Sequence, residues 1–274
     1  MTRHCAPSEY VHGTAPEEQE RLSQLNEFLN NRCLNELGLK PGLRVLDVGS
    51  GLGQMTCAMA EAVGPEGGVV GIERSVEQRT RAERYAHESG SRVTFREGDA
   101  LALPLQEEEL ASFDVVHSRF VLEHLRDPQA AVDQMVRAVK PGGRIVLADD
   151  DHDLLRFDPP LPAIDHLWRA YIRLYDRLGN DPFIGRRLVR LLHTAGLRPT
   201  RNTAVFFGSC AGSPTFEFIA ANFKGVLVGS RQPLLDHDLT TEAAFEDGMK
   251  ELEHWRARED AALWYTLCWA EAVL

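Results

Sequence analysis

The sequence predicts an α/β fold, in which a sheet of seven mainly parallel strands carries helices on both faces. Over residues 40–150, short apolar and β-branched runs alternate with segments whose apolar residues recur at helical spacing. Glycine and proline turns separate these segments. Two further runs, near residue 205 and at the end of the chain, complete the sheet. The apolar fraction of 43% suits a full core, and one domain with helical insertions fits better than two domains.

The first half of the chain is expected to supply five strands and the helices that connect them. A capping-box pattern at residues 75–78 predicts the start of one helix, and Asp127 followed by Pro128 predicts the start of another. Because ligands bind parallel sheets beyond the carboxyl ends of the strands, the residues that follow these strands are candidates for a site. The predicted strands cover residues 44–48, 69–73, 93–97, 113–117 and 144–148.

An N-terminal helix is predicted to begin at Pro16, which suits a first helical position, and to stop at Gly38. We expect residues 1–39 to form a helical lid over the site and residues 40–274 to form the main domain. The alternative is that this helix packs on the edge of the sheet, and the two arrangements are not exclusive.

The second half of the chain is expected to insert helices between its last strands. Apolar spacing predicts one helical insertion at about residues 155–198 and another at about residues 211–258. A sixth strand is predicted between them, at residues 203–207, and a last strand at residues 261–269.

Charge and cysteine usage limit the class of protein. The formal charge of −11 argues against a broad phosphate-binding surface, so no nucleic-acid partner is expected. The five cysteines form no CxxC pair and no metal-ligand spacing. The N-terminus lacks the apolar stretch of a secretory signal, and no apolar run is long enough to span a bilayer. We therefore expect a cytoplasmic protein without a membrane partner, and the oligomeric state stays open.

The most specific local pattern is Asp47-x-Gly49-x-Gly51-x-Gly53, where the first strand passes into a helix. Glycine permits left-handed backbone angles and close approach of a ligand to the main chain, and the helix that follows offers free N–H groups. A dinucleotide-binding fingerprint would need glycine at position 54, where this chain has Gln54. The pattern resembles motif I of the class I S-adenosylmethionine (SAM) methyltransferases, whose fold is Rossmann-like.

Further landmarks of that family follow in the right order. Glu73 ends the second strand, where the family places an acid on the ribose hydroxyls of SAM. Asp99 and Ala100 follow the third strand, where the family holds the adenine ring. The sequence is most similar to the ubiquinone- and menaquinone-biosynthesis type and to bacterial natural-product methyltransferases. The resemblance implies SAM as cofactor, S-adenosylhomocysteine as product and residues 40–274 as a methyltransferase domain. The cofactor-binding residues that it implies are Tyr10, Gly49, Ser50, Gly51, Gly53, Glu73, Arg74, Asp99, Ala100, Ser118 and Arg119.

Candidate residues for catalysis and substrate binding follow the fourth and fifth strands. Side chains at these strand ends face the expected substrate site, where an acid or a histidine could take a proton from the acceptor. The predicted catalytic residues are His117, Asp149 and His152. The second half is rich in aromatic residues, which suit a flat or apolar ligand. The predicted substrate-binding residues are Asp150, Trp168, Tyr171 and Tyr175, and no metal is expected.

The leading hypothesis is a SAM-dependent methyltransferase that acts on a small aromatic or apolar organic molecule, such as a secondary metabolite. Three alternatives stay open: an RNA or protein methyltransferase, an NAD-dependent oxidoreductase, and a non-catalytic SAM-binding protein. The acceptor atom and the substrate are not fixed at this stage, because a fold resemblance gives cofactor chemistry rather than acceptor identity.

Overall fold

Eight α-helices and ten strands build the described part of the chain. The computed structural model describes residues 16–274, with side chains from residue 27 onward. The helices are α1 (Pro16–Leu37), α2 (Gln54–Val63), α3 (Val76–Ser89), α4 (Pro128–Ala138), α5 (Pro162–Arg177), α6 (Leu188–Thr194), α7 (Phe216–Asp236) and α8 (Glu242–Arg256). The strands are β1 (Arg44–Val48), β2 (Gly68–Glu73), β3 (Val93–Glu97), β4 (Phe113–Arg119), β5 (Val139–Asp150), β6 (Arg156–Asp158), β7 (Arg198–Phe206), β8 (Ser209–Cys210), β9 (Ala262–Trp264) and β10 (Thr266–Val273).

Seven of these strands form the central sheet, in the order β3-β2-β1-β4-β5-β10-β7. β1 pairs in parallel with β2 and β4, and the pairs β2–β3 and β4–β5 are parallel too. β10 is antiparallel to both β5 and β7. The prediction of a seven-stranded, mainly parallel, Rossmann-like sheet is confirmed. The strand order reverses between β1 and β4, which opens a crevice at their carboxyl ends.

Two apolar cores cover the two faces of this sheet. Successive residues of a strand point to opposite faces, so Val45 belongs to one core and Leu46 to the other. The first core takes apolar residues from α1, α2, α5, α7 and α8, and the second takes them from α4 and α6. Helices therefore lie on both faces, as predicted.

The described part of α1 packs into the first core. Leu29, Cys33 and Leu37 are buried there, and α1 contacts α2, α7 and β7. Asn30 Oδ1 accepts a hydrogen bond from the guanidinium of Arg119 (2.8 Å). The helix ends before Gly38, as the sequence predicts. Residues 1–15, which the predicted lid includes, lie outside the described residues, and a domain boundary at residue 39 stays a prediction.

Helices also lie in both predicted insertions, although their starts differ. α5 and α6 lie within residues 155–198, and α7 and α8 lie within residues 211–258. The Asp181-Pro182 pair also predicts a helix start, but a 3₁₀ turn at Ile184–Arg187 follows it, and α6 begins only at Leu188. Among the described helices, none combines the length and the apolar character that a membrane crossing needs.

The end of the chain differs from the single strand predicted at residues 261–269. β9 joins β6 and β8 in a small antiparallel sheet, whereas β10 lies in the central sheet. Tyr265 lies between the two strands, and its carbonyl accepts a hydrogen bond from the N–H of Phe207 (2.7 Å). Leu263 and Leu267, one on each side, are both buried. The apolar run is therefore continuous, and its pattern could not show the division.

Candidate active site

The glycine turn after β1 needs glycine for two reasons. Gly49, Gly51 and Gly53 all have left-handed backbone angles, with φ of 77°, 53° and 78°. A Cβ on Gly49 would lie 2.2 Å from a methyl carbon of Val121, and a Cβ on Gly53 would lie 2.7 Å from the Cβ of Ala82. Side chains are thus excluded by backbone strain and by contact, so main chain forms the surface of the turn.

Glu73 and Asp99 follow β2 and β3 and face the same crevice. The two oxygens of Glu73 accept hydrogen bonds from the N–H groups of Gly51 (3.0 Å) and Ser75 (2.7 Å). A carboxylate has about four acceptor positions, so Glu73 keeps acceptors for two ligand hydroxyls. Asp99 Oδ1 accepts from the N–H of Leu101 (2.9 Å), which fixes the side chain beside Ala100.

A first cavity of about 360 Å³ lies at this crevice. It contains nine of the eleven predicted cofactor-binding residues. The nine are Gly49, Ser50, Gly51, Gly53, Glu73, Arg74, Asp99, Ala100 and Arg119. Ser118 does not line the cavity, because strand alternation turns its side chain away from the face that His117 occupies. Tyr10 lies outside the described residues.

His117 lies in the first cavity, on the cofactor side rather than the expected substrate side. Its Nδ1 is hydrogen-bonded to Asp47 Oδ1 (2.8 Å), and Asp47 Oδ2 accepts from the hydroxyl of Thr56 (2.6 Å). These bonds join β4, β1 and α2 beneath the glycine turn. The arrangement explains the aspartate of the glycine motif as a structural residue, and a catalytic role of His117 stays a prediction.

A second cavity of about 120 Å³ adjoins the first, and Phe120 and His124 line both. Six aromatic rings face it, together with two carboxyl groups, two imidazoles and one amide. The rings belong to Phe120, Trp168, Tyr171, Phe207, Phe223 and Tyr265, and the polar side chains to Glu123, His124, Asp150, His152 and Asn222. Of the predicted residues, Asp150, His152, Trp168 and Tyr171 therefore come together here. Tyr175 lies behind this wall, with its ring centroid 4.9 Å from that of His152.

The structure does not bring Asp149 into either cavity. Its Oδ2 accepts from the N–H groups of Val121 (3.2 Å) and Leu122 (2.8 Å), and its Oδ1 accepts from the N–H of Asp150 (3.1 Å). Asp149 thus holds the loop after β4, and this placement does not favour the predicted catalytic role. Strand alternation places Asp149 and Asp150 on opposite faces, but the sequence does not show which of these faces borders the cavity.

His152 is the centre of a buried polar network. Its Nδ1 lies 2.9 Å from the hydroxyl of Tyr265, and its Nε2 lies 3.4 Å from Glu123 Oε2. Tyr175 donates a hydrogen bond to the Glu123 carboxyl group, and Tyr265 donates one to Asp150. Glu123 and Tyr265 were not predicted from the sequence. The one signal for Glu123 was an acid within the apolar run 120–125, which suggests a buried role.

Burial shifts the acid–base behaviour of this network. It raises the pKa of Glu123 from 4.5 to about 8 and raises the pKa of Asp150 well above 3.8. It lowers the pKa of His124 from 6.5 to about 4 and lowers the pKa of His152 too. Removal from water disfavours the charged form of each group. Near neutral pH, all four side chains are therefore driven towards their uncharged forms.

Phe120 lies at the boundary between the cavities in a strained conformation. Its φ of 57° is uncommon for a bulky residue and is held by a hydrogen bond from its N–H to the carbonyl of Ala148 (3.0 Å). Strain of this kind gathers at ligand sites, where the surrounding structure maintains it. The ring thereby faces both cavities at once.

Comparison with known proteins agrees with this geometry. Residues 39–170 match a family model described as a methyltransferase domain. The chain is 37% identical over 187 residues to an uncharacterised 37.1 kDa transposon protein of Streptomyces fradiae, covering 66% of this chain and 52% of that protein. The chain thus spans about half the length of that relative. It is 29% identical over 181 residues to a demethylmenaquinone methyltransferase of Staphylococcus aureus, covering 63% and 71% of the two chains.

Residues 39–170 therefore form a methyltransferase domain of the class I SAM-dependent type. A SAM-dependent methyltransferase of Aquifex aeolicus has the same fold, with a TM-score of 0.53 and 23% identity over 70% of this chain and 94% of that one.

SAM is the methyl donor of this class, and the first cavity fits it. No atom lies within 3.6 Å of the position that a Cβ on Gly51 would take, so the bare main chain there leaves room for a ligand, and Glu73 keeps free acceptor positions for ribose hydroxyls. When bound, SAM supplies an electrophilic methyl group. Within the described residues, no group of three or more histidine, cysteine, aspartate or glutamate side chains could hold a metal ion.

Proposed function

We propose that this methyltransferase transfers a methyl group from SAM to a small aromatic or apolar molecule held in the second cavity. The observation that carries the proposal is the adjacency of the two cavities, which share Phe120 and His124. SAM bound along the glycine turn and an acceptor bound among the aromatic rings would meet at this boundary. Holding two reactants in line accounts for much of the rate of such a transfer.

In this proposal, one set of residues binds the cofactor and another set binds the acceptor. The glycine turn, Glu73 and Asp99 bind the cofactor, while Trp168 and Tyr171 stack with centroids 4.9 Å apart and form one wall for the acceptor. Trp168 is fixed by a hydrogen bond from its Nε1 to the carbonyl of His152 (2.6 Å). The aromatic walls exclude water and favour an apolar ligand. A cytoplasmic location and the absence of nucleic-acid and membrane partners remain part of the proposal.

The test is methyl transfer from SAM to a panel of single-ring acceptors, followed as S-adenosylhomocysteine formation by mass spectrometry. Trp168→Ala removes the wall and is expected to lower kcat/KM at least about tenfold, since a buried aromatic contact is worth over 1.4 kcal/mol. Trp264→Ala is the matched control, because Trp264 is 58% exposed and lines neither cavity. Equal activity of both variants with every acceptor would refute the proposed substrate site.

A further inference from the structure

The described lining of the second cavity contains two carboxyl groups but no lysine or arginine. Glu123 is buried and Asp150 is partly buried, and both face the cavity. The two histidines of the lining do not supply the missing positive charge, because burial lowers the pKa of each. Buried carboxylates are normally paired with a cation, since an unpaired charge in an apolar site is costly.

Two polar atoms of this cavity also lack hydrogen bonds within the described chain. Glu123 is 4% exposed, and its Oε2 has no hydrogen-bond partner. His152 Nε2, 3.4 Å away, has none either. Because Tyr265 donates to Asp150, the Nδ1–H of His152 must donate to Tyr265, which leaves Nε2 as an acceptor. When Glu123 is ionised, both atoms are therefore acceptors that a ligand with N–H groups would satisfy.

The aromatic walls point to the same kind of ligand. The rings of Trp168 and Tyr171, which line the cavity, lie at centroid distances of 5.4 and 5.5 Å from the ring of His152. Aromatic faces attract cations, and most strongly when water is excluded. The described lining of the cavity thus combines two carboxyl groups with aromatic rings and contains no lysine or arginine. This combination is complementary to an organic ammonium.

We propose that the second cavity binds the acceptor as a protonated amine, and that Glu123 takes the proton that the amine must lose before it can be methylated. The inference rests on the proposed function. An ammonium nitrogen has no lone pair and cannot act as a nucleophile. In the proton transfer, one N–H bond breaks, its electron pair stays on nitrogen, and the proton goes to Glu123 Oε2 to form the neutral carboxylic acid.

The acid–base setting of Glu123 suits this transfer. A general base works best when its pKa is near the working pH, and burial raises the pKa of Glu123 to about 8. Removing the positive charge of the amine also removes its repulsion from the sulfonium of SAM. Several titratable groups face or adjoin Glu123. They are His124 on its own turn, Asp149 and Asp150 at the end of β5, His152 just after β5, Tyr171 and Tyr175 on α5, and Tyr265 before β10.

Other acceptor classes fit this cavity less well. A carboxylate ligand would bring a negative charge into a cavity whose described lining already holds two carboxyl groups and contains no lysine or arginine. A neutral hydroxyl could hydrogen-bond to Glu123, but it carries no positive charge with which an ionised Glu123 could pair. This cavity of about 120 Å³ is slightly smaller than a cavity of about 150 Å³ that holds benzene, so it admits at most one ring, and the polar end of the ligand would extend to the shared boundary.

Calorimetry with three ring-matched probes tests the proposal. Benzylamine, benzyl alcohol and benzoate are titrated into the protein saturated with S-adenosylhomocysteine, so that no turnover occurs. Titrations are made at about pH 6.5 and about pH 7.5, in two amine-free buffers of different ionisation enthalpy, to count released protons. Glu123→Gln is the test variant, and Glu246→Gln, which changes an exposed acid on α8, is its matched control.

Benzylamine is expected to bind at least about tenfold more tightly than either other probe. It should release close to one proton at the lower pH, because Glu123 must ionise to pair with the ammonium, and its Kd should fall by up to about tenfold over that pH unit. Glu123→Gln should lose this pH dependence and weaken benzylamine binding at least about tenfold, while Glu246→Gln behaves as the wild type.

Equal or tighter binding of the alcohol or of benzoate, amine binding without proton release, or no binding of any probe would overturn the inference. The proton count on the wild-type protein decides the question even if the variant does not fold. The affinity for S-adenosylhomocysteine, measured in the same samples, distinguishes failure of the proposed function from failure of the amine assignment. Loss of that affinity would contradict the proposed function itself, whereas intact affinity with failed amine binding would contradict only the amine assignment.

Discussion

At Gly49, backbone strain and steric contact act on the same residue. Alanine there would have to adopt a φ of 77° and would place its Cβ 2.2 Å from a methyl carbon of Val121. Gly212 also has a positive φ, of 85°, but no atom lies within 4 Å of its added Cβ. Comparing alanine substitutions at Gly49 and Gly212 therefore separates the effect of backbone strain from the effect of a steric clash at the cofactor site.

We expect Gly212→Ala to cost about 1–3 kcal/mol of unfolding free energy through strain alone and to leave SAM affinity unchanged. Gly49→Ala should cost at least as much and weaken SAM binding at least about tenfold, since Val121 must move into the first cavity. Urea unfolding and calorimetry measure the two quantities. SAM affinity within about twofold of the wild type in Gly49→Ala would contradict the role given to this turn.

Glu123 should make stability depend on pH. Its pKa rises from 4.5 to about 8 on folding because of burial, so between these values the native state holds a proton that the unfolded chain has lost. The stability from this group is therefore full below pH 4.5 and is lost as pH rises through about 8.

Glu123→Gln stays uncharged at every pH and removes this dependence. The unfolding free energy of the variant minus that of the wild type should increase steadily from about pH 6 to about pH 8. Urea unfolding across this range measures it. A difference that stays constant with pH would show that the carboxyl group is already ionised and solvated in the native state.

At the level of elements, the loop after β4 depends on Asp149 at the end of β5. Asp149→Ala leaves the N–H groups of Val121, Leu122 and Asp150 without their acceptor and should cost about 2–3 kcal/mol of unfolding free energy. Asp149→Asn keeps one acceptor oxygen and should cost about 1 kcal/mol.

Methyl transfer measured on the folded Asp149→Asn protein completes this test. Because Asp149 lines neither cavity, we expect kcat to stay within about tenfold of the wild type. A loss of kcat beyond about a hundredfold with little loss of stability would restore Asp149 as a catalytic residue.

For the whole molecule, the net charge of −11 bears on the substrate class. Phosphate contacts dominate nucleic-acid affinity and need clustered lysine and arginine. We expect no retention of RNA in filter binding at moderate salt. Salt-dependent retention at low micromolar protein would favour an RNA methyltransferase over a small-molecule enzyme.

Sequence reasoning succeeded where the determining interactions are local. The glycine turn, Glu73 and Asp99 follow their strands directly, so one stretch of chain shows both the element and the residue. It failed where distant segments meet. Glu123 and Tyr265 reach His152 from different parts of the chain, and the division between β9 and β10 depends on pairing with β6 and β8. Neither spacing nor composition contains that information.

The measurement that tests the account most directly is a crystal structure with S-adenosylhomocysteine. We expect the adenosyl group in the first cavity, its ribose hydroxyls on Glu73, its adenine beside Asp99 and its sulfur directed towards Phe120 and the second cavity. Electron density for the ligand at any other place, or a sulfur directed away from Phe120, would contradict the central claim that the two cavities form one methyl-transfer site.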